Sequence, residues 1–188
     1  GTDYLALKRM SEKKTDLPIL TVDANGMDLY DKGEEKAWLS LFQTFVTEQY
    51  PVDEDRIGIL GMTPQDISDL TAADKIKKKF QDAYGQKAVC YGMGDGLTEV
   101  KKASSVCRNI VVAPAALKTA QYLEKTFGTP YEVGYPLVEE LFPDMDYTGK
   151  KILVVHQQVM ADSIRKEFRK KGADFVVNAS WFMMKKEL

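Results

Sequence analysis

Short apolar runs alternate with apolar residues at helical spacing over most of the chain. The clearest case starts at Ile110-Val111-Val112, an uninterrupted run of the kind that is typical of a strand covered on both faces. Pro114 suits the first turn of a following helix, and Gly128 is placed to end it. Residues 129–133 then return to an extended pattern, so the pattern predicts one β-α-β unit.

The same alternation begins upstream of this unit. Residues 56–61 and 87–91 each predict a strand, and the segment between them, residues 65–84, predicts one helix or two. A glycine-rich loop at residues 92–96 precedes a further predicted helix, whose apolar residues are Leu97, Val100 and Val106. Such alternation is typical of a parallel sheet with helices on both faces, so we expect a Rossmann-like α/β fold with about four parallel strands.

The first 50 residues predict a less complete set of elements. Thr2 or Asp3 can cap a first helix, residues 17–22 predict a strand, and a second helix is expected after Gly33. Asn25-Gly26 predicts a turn between them. One strand with two helices cannot close a sheet, so we expect these residues to belong to a larger domain of which the chain is an excised part.

The end of the chain repeats the α/β pattern. Residues 151–156 predict a strand, residues 159–171 a helix and residues 173–178 another strand. We therefore expect three regions: 1–50, the C-terminal part of a first α/β domain; 51–145, a Rossmann-like middle domain; and 146–188, the beginning of a third α/β domain.

Composition and charge narrow the possible functions. The chain is 44% hydrophobic and 29% charged with a formal net charge of −2, which is ordinary for a globular protein and disfavours binding to nucleic acid or to a membrane surface. No apolar run approaches the roughly 20 residues of a membrane span, and no signal-peptide pattern is present. The expected location is the cytoplasm.

Three predicted strand-to-helix turns are candidates for a binding cleft. The carboxyl ends of parallel strands lie at one edge of a sheet, so these turns should converge there. Small residues would leave room for a ligand, and helix N-termini would direct N–H groups towards an anionic or electron-rich group. Glycines that only permit tight turns explain the pattern equally well. The predicted cleft residues are Met62, Thr63, Gly94, Asp95, Ala113, Pro114 and Ala115.

No catalytic residue and no metal site can be assigned from spacing. Cys90 and Cys107 form no CxxC pair and have apolar neighbours, which is typical of structural thiols. His156, the only histidine, follows a predicted strand but has no ligand set near it in sequence. The loop at residues 92–96 fits neither common phosphate-binding motif, so nucleotide binding is the less favoured interpretation.

Several sequence segments, in order along the chain, resemble segments of the nitrogenase component 1 type oxidoreductase family. Those in the first 140 residues are Gly1-Thr2-Asp3-Tyr4 through Leu17-Pro18-Ile19-Leu20-Thr21-Val22-Asp23-Ala24-Asn25-Gly26, Ile57-Gly58-Ile59-Leu60-Gly61, Gly94-Asp95-Gly96-Leu97-Thr98-Glu99-Val100, Asn109-Ile110-Val111-Val112 and Lys125-Thr126-Phe127-Gly128-Thr129-Pro130-Tyr131. Residues 150–168 resemble the start of the family's third domain. The resemblance thus covers nearly the whole chain.

The resemblance implies stacked Rossmann-like domains that bind metal clusters between domains and subunits. It also implies two partners for the full-length protein, an ATP-hydrolysing iron protein that supplies electrons and a second component 1 subunit. Ala113 stands where the catalytic nitrogenase subunit has a cysteine that anchors its active-site cofactor, and alanine offers no thiolate. An iron–sulfur cluster is expected in the full-length protein and no cofactor in this fragment.

The expected function is therefore that of a nitrogenase component 1-like oxidoreductase, which takes low-potential electrons through an iron–sulfur cluster to an unknown substrate. The fragment alone is expected to be inactive. Two alternatives remain open: a non-catalytic scaffold for metal-cluster assembly, and a Rossmann-like module that binds a small molecule or nucleotide.

Overall fold

The computed structural model of the protein describes residues 3–24 and 26–180. Within them, the α-helices are α1 (Tyr4–Glu12), α2 (Tyr30–Phe45), α3 (Pro64–Ile67), α4 (Ala72–Tyr84), α5 (Leu97–Lys101), α6 (Leu117–Phe127) and α7 (Gln158–Lys170). The strands are β1 (Asp53–Leu60), β2 (Lys87–Cys90), β3 (Val106–Val111), β4 (Tyr131–Val133), β5 (Lys151–Val155) and β6 (Phe175–Ala179). Three short 3-10 helices cover Ala103–Ser105, Pro114–Ala116 and Val138–Glu140.

Four of these strands form a parallel sheet in the order β2-β1-β3-β4. Strand β1 is central, and its Gly58 lies between Val89 of β2 and Asn109 of β3. Helices flank the sheet, so the predicted α/β fold with a four-stranded parallel sheet is confirmed.

Side-chain alternation along the strands builds a separate core on each face of the sheet. On one face, Ile57 and Ile59 of β1 pack in a cluster with Ile76 and Phe80 of α4. The other face has a larger helical cover from α2 and α6. Its core residues include Trp38, Phe42, Leu60, Val89, Val111, Ala120 and Leu123.

Strands β5 and β6 form a second, two-stranded parallel sheet. Helix α7 covers one face of it, and Val154, Ala161 and Val176 are part of a third buried cluster there. The other face carries exposed apolar side chains. They are Leu153, Val155, Phe175 and Val177. The division of the chain into three domains stays a prediction.

Gln157, which caps the N-terminus of α7, connects this second unit to the central sheet. Its side-chain oxygen accepts a hydrogen bond from Val159 N at 2.7 Å, and its Nε2 donates to Val112 O at 2.7 Å. Farther along α7, Ser163 Oγ accepts a hydrogen bond from Tyr135 N at 3.0 Å. The segment that follows β5 therefore lies against the carboxyl end of β3.

Two predicted elements of the first 50 residues differ from the structure. Residues 17–22 pair with no strand among the described residues. Pro18 lacks an N–H donor there and Leu17 is 72% exposed, so this run of apolar residues does not form a buried strand. Helix α2 begins at Tyr30 and contains Gly33, since a single glycine in a helix costs only about 1 kcal/mol.

A third difference concerns Val106, which opens β3 instead of ending a helix, because α5 stops at Lys101 and a 3-10 turn intervenes. The segment predicted as one helix or two forms two, α3 and α4. Asp3 caps α1 by accepting a hydrogen bond from Ala6 N at 3.0 Å. The other proposed cap, Thr2, and the turn residue Asn25 lie outside the described residues.

Candidate functional site

The turns that follow β1, β2 and β3 contact one another at the carboxyl edge of the central sheet. A Cβ atom added to Gly61 would lie 2.9 Å from Ala113 Cβ, and one added to Gly92 would lie 2.2 Å from Met62 O. Both glycines have positive φ, 92° and 105°. The close approach of these turns therefore requires glycine at both positions.

Most of the predicted cleft residues at this edge are buried in protein. Met62, Ala113, Pro114 and Ala115 are all buried, and α2 packs on the Pro114–Ala116 turn. Their small side chains allow close packing of α2 on the turn. Thr63 is half-buried and is the predicted cleft residue that borders the polar cluster described below.

Gly94 and Asp95 lie away from that cluster. A Cβ at Gly94 would lie 3.0 Å from Ala73 Cβ, so the loop packs against α4. The Asp95 carboxylate accepts a hydrogen bond from Cys90 N at 2.7 Å and lies 2.8 Å from Lys77 Nζ. A carboxylate thus closes the loop at residues 92–96, and its charge disfavours a phosphate there.

A pair of carboxyl groups, Glu34 and Asp66, forms a polar cluster at this edge. Glu34 lies on the second turn of α2, and its Oε1 accepts a hydrogen bond from Trp38 Nε1 at 3.1 Å. Asp66 lies on α3, and its Oδ2 accepts one from Thr63 Oγ1 at 3.0 Å. Glu34 Oε2 is buried and receives no donor from the described residues.

Burial and mutual repulsion raise the pKa of both carboxyl groups. The pKa of Glu34 rises from 4.5 to about 7, first because burial penalises its charged form and then because Asp66 repels it. Burial is also the main cause that raises the pKa of Asp66, while hydrogen bonds from Glu34 and Thr63 oppose the rise. Two carboxyl groups in one site cannot both ionise readily, so the pair keeps a proton to a higher pH than a solvent-exposed carboxyl group does.

His156 lies near this pair, directly after β5. Burial lowers its pKa, and the charge of Asp66 opposes that shift. Its Nδ1 accepts a hydrogen bond from Gln157 N at 2.9 Å, which assigns the proton of the neutral ring to Nε2. The cluster therefore combines two carboxyl groups that tend to hold a proton with an imidazole that tends to be neutral.

Glu34 also lines a cavity of about 290 Å³ between α2 and the segment before it. Leu29, Tyr30 and Gly33 form part of its wall. Burial and the neighbouring carboxyl groups, Glu34 before Asp66, raise the pKa of Tyr30. A cavity with a perturbed carboxyl group at its wall is a candidate site for proton transfer to a bound molecule.

The described residues do not fit an iron–sulfur cluster. No group of three or more His, Cys, Asp or Glu side chains among them could hold a metal ion. Cys90 is buried, its Sγ faces Ala73 O at 3.8 Å, and burial raises its pKa to about 12. Burial also raises the pKa of Cys107, and a cluster ligand must be a thiolate.

Sequence reasoning missed Glu34 and Asp66. Each stands near the start of a helix, where acidic residues are common because they complement the helix dipole. Only the folded chain brings α2 and α3 together, so no spacing rule could have paired them. The sequence drew attention to His156 because it follows a predicted strand, but it gave no comparable signal for Gln157.

Comparison with known proteins identifies a family. The family model described as nitrogenase component 1 type oxidoreductase matches residues 1–138. A search of curated proteins found no match. Among the helices of the described residues, none has the length and apolar character needed to cross a bilayer.

Proposed function

The chain belongs to the nitrogenase component 1 type oxidoreductase family, and from this premise we propose that it is part of a reductase that delivers protons to its substrate through Glu34 and Asp66. The observation that carries the proposal is the pair of buried carboxyl groups with raised pKa values at the carboxyl edge of the sheet. Reduction adds electrons and protons together, so a reductase needs an acid that remains protonated near neutral pH. Glu34, with a pKa of about 7, meets that need.

The neighbours of the pair suit repeated proton transfer. A two-electron reduction consumes two protons and Glu34 can deliver one at a time, so it must be reprotonated between the transfers. Glu34 faces the cavity lined by Leu29 and Tyr30, which offers a route for water. Trp38 Nε1, which donates to Glu34 Oε1, holds the carboxyl group in place and stabilises its ionised form after the proton leaves.

The source of electrons belongs to the proposal as well. The family resemblance supports an iron–sulfur cluster in the full-length protein, an ATP-hydrolysing iron protein as donor and a second component 1 subunit, all in the cytoplasm. Since the described residues lack a cluster ligand set, the cluster would have to bind elsewhere. The part proposed for this chain is to bind substrate and supply protons.

The test uses the full-length protein, purified without oxygen and mixed with the ATP-hydrolysing iron protein, ATP and dithionite. Substrate-dependent oxidation of dithionite is measured for the wild type and for Glu34→Gln, with the exposed helical residue Glu124→Gln as control. Glu34→Gln is expected to lower the rate by about 100-fold, a typical contribution of a general acid. The cluster spectrum should stay unchanged.

The outcomes separate the alternatives. A bound cluster without any ATP-dependent electron flow would indicate an assembly scaffold. No cluster and no electron flow would favour a small-molecule-binding module. Electron flow that is equal in Glu34→Gln and the wild type would refute the role of the carboxyl pair.

A further inference from the structure

Four polar side-chain atoms on one face of the central sheet are buried and have no hydrogen-bond partner in the part of the chain that the structure describes. They are Arg56 Nε, Tyr91 Oη, Asn109 Oδ1 and Asn109 Nδ2. Tyr91 and Asn109 are fully buried, and Arg56 is 8% exposed. Arg56 lies in β1, Asn109 lies in β3, and Tyr91 directly follows β2. All three lie within or beside the core under α2 and α6.

Gly58 explains why these side chains converge. Asn109 is its direct partner across β1 and β3. A Cβ atom at Gly58 would lie 2.2 Å from Asn109 Oδ1 and 3.0 Å from Tyr91 Cε2. The Asn109 amide and the Tyr91 ring therefore meet over the glycine, where any other residue would place a side chain.

Arg56 reaches the same region from one side. It stands two residues before Gly58, so both point to the same face of β1. Its guanidinium is held by Glu99 of α5 through Nη2, and Nε remains as a donor. The charge of Arg56 acts on Tyr91, where it opposes the rise in pKa caused by burial.

Buried polar groups without partners are rare in native proteins, because each loses its hydrogen bonds to water and gains none in return. Internal waters normally satisfy such groups. A buried water typically makes about three hydrogen bonds, and it needs two to four polar partners. Arg56, Tyr91 and Asn109 supply two donor nitrogens, one hydroxyl that both donates and accepts, and one amide oxygen.

We propose that one or two internal water molecules bind within this core, beside the contact of Asn109 with Tyr91, and bridge the Asn109 amide, the Tyr91 hydroxyl and Arg56 Nε. The water accepts hydrogen bonds from Arg56 Nε and the amide nitrogen, and it donates to the amide oxygen and the hydroxyl. This site is separate from the carboxyl pair. It is an internal hydration site at the centre of the sheet.

The first test is magnetic relaxation dispersion of water oxygen, which counts waters that remain bound longer than the protein tumbles. The double variant Tyr91→Phe/Asn109→Leu removes the hydroxyl and the amide while nearly conserving volume. It is expected to lose one or two long-lived waters relative to the wild type. Tyr135→Phe changes a buried tyrosine in the opposite core and should lose none.

An equal water count in the wild type and the double variant would overturn the proposal. If the double variant fails to fold, the single variant Asn109→Leu, which removes both amide atoms, is measured in its place. A high-resolution crystal structure is the second measurement. Density within hydrogen-bond distance of both Tyr91 Oη and Asn109 supports the site, whereas a direct hydrogen bond between these side chains with no water refutes it.

Discussion

Replacing Glu34 by glutamine should make the protein more stable at alkaline pH. Glutamine has the shape of the protonated acid and, like it, can donate a hydrogen bond to Asp66, but it cannot ionise. The pKa of Glu34 in the folded protein, about 7, is higher than its ordinary value of 4.5. The folded state therefore binds this proton more tightly than the unfolded state does.

The direction of the pH effect follows from that difference. A raised pKa contributes stability that is fully present below about pH 4.5 and is lost as pH rises through about 7. The rise corresponds to about 3 kcal/mol at 1.36 kcal/mol per pH unit. Because Glu34 is only partly buried, solvent screening reduces the expected effect to about 1–2 kcal/mol.

The measurement is urea unfolding of the chain, followed by circular dichroism at pH 5 and pH 8. The wild type should lose about 1–2 kcal/mol of unfolding free energy between these values because of Glu34, beyond the change common to all variants. Glu34→Gln should lack this loss and exceed the wild type at pH 8. Glu124→Gln, on the exposed face of α6, should follow the wild type. If Glu34→Gln keeps the pH dependence of the wild type, the assignment of the raised pKa to Glu34 is wrong.

Three further predictions concern packing and reactivity. Gly58→Ala should destabilise the fold by at least about 2 kcal/mol in urea unfolding, because the new Cβ would collide with Asn109. This loss of stability should be smaller when Asn109→Ala is also present, and losses that simply add in the double variant would contradict the contact. Gln157→Leu should lower the free energy of unfolding by about 2 kcal/mol, since it removes the hydrogen bonds of this side chain to Val112 O and to the N-terminus of α7. An unchanged melting temperature in thermal unfolding would contradict this. Cys107 should react with a thiol reagent well before Cys90, whose pKa of about 12 keeps it protonated. Mass spectrometry of the labelled peptides measures the order, and faster labelling of Cys90 would show that it is accessible.

The central sheet could be predicted from the sequence because it depends on local signals. The uninterrupted run at Ile110-Val111-Val112 identifies a strand covered on both faces, and Gly128 ends a helix as expected, with a φ of 74°. These signals require no knowledge of distant residues. Local signals were not sufficient at residues 17–22, where a strand was expected. An apolar run forms a strand only if another strand lies beside it, and the run itself does not show whether one does.

The carboxyl pair could not be predicted, because it depends on the packing of α2 on the edge of the sheet. Glu34 and Asp66 are far apart in sequence, and each is unremarkable in its own helix. Their raised pKa values arise from burial and from one another, and both causes exist only in the folded chain. The cleft residues stay a prediction.

The central position of β1 affects how the chain folds during synthesis. Ile57 pairs with Ala88 on one side and with Arg108 on the other, so the ribosome makes β1 well before either partner. Until β3 emerges, one edge of β1 and its buried residues, including Ile57, Ile59 and Leu60, remain uncovered. Non-local pairing of this kind is slow and exposes nascent chains to aggregation. A chain stalled before Val106 should therefore depend on chaperones, and one whose Val133 has left the ribosome should not.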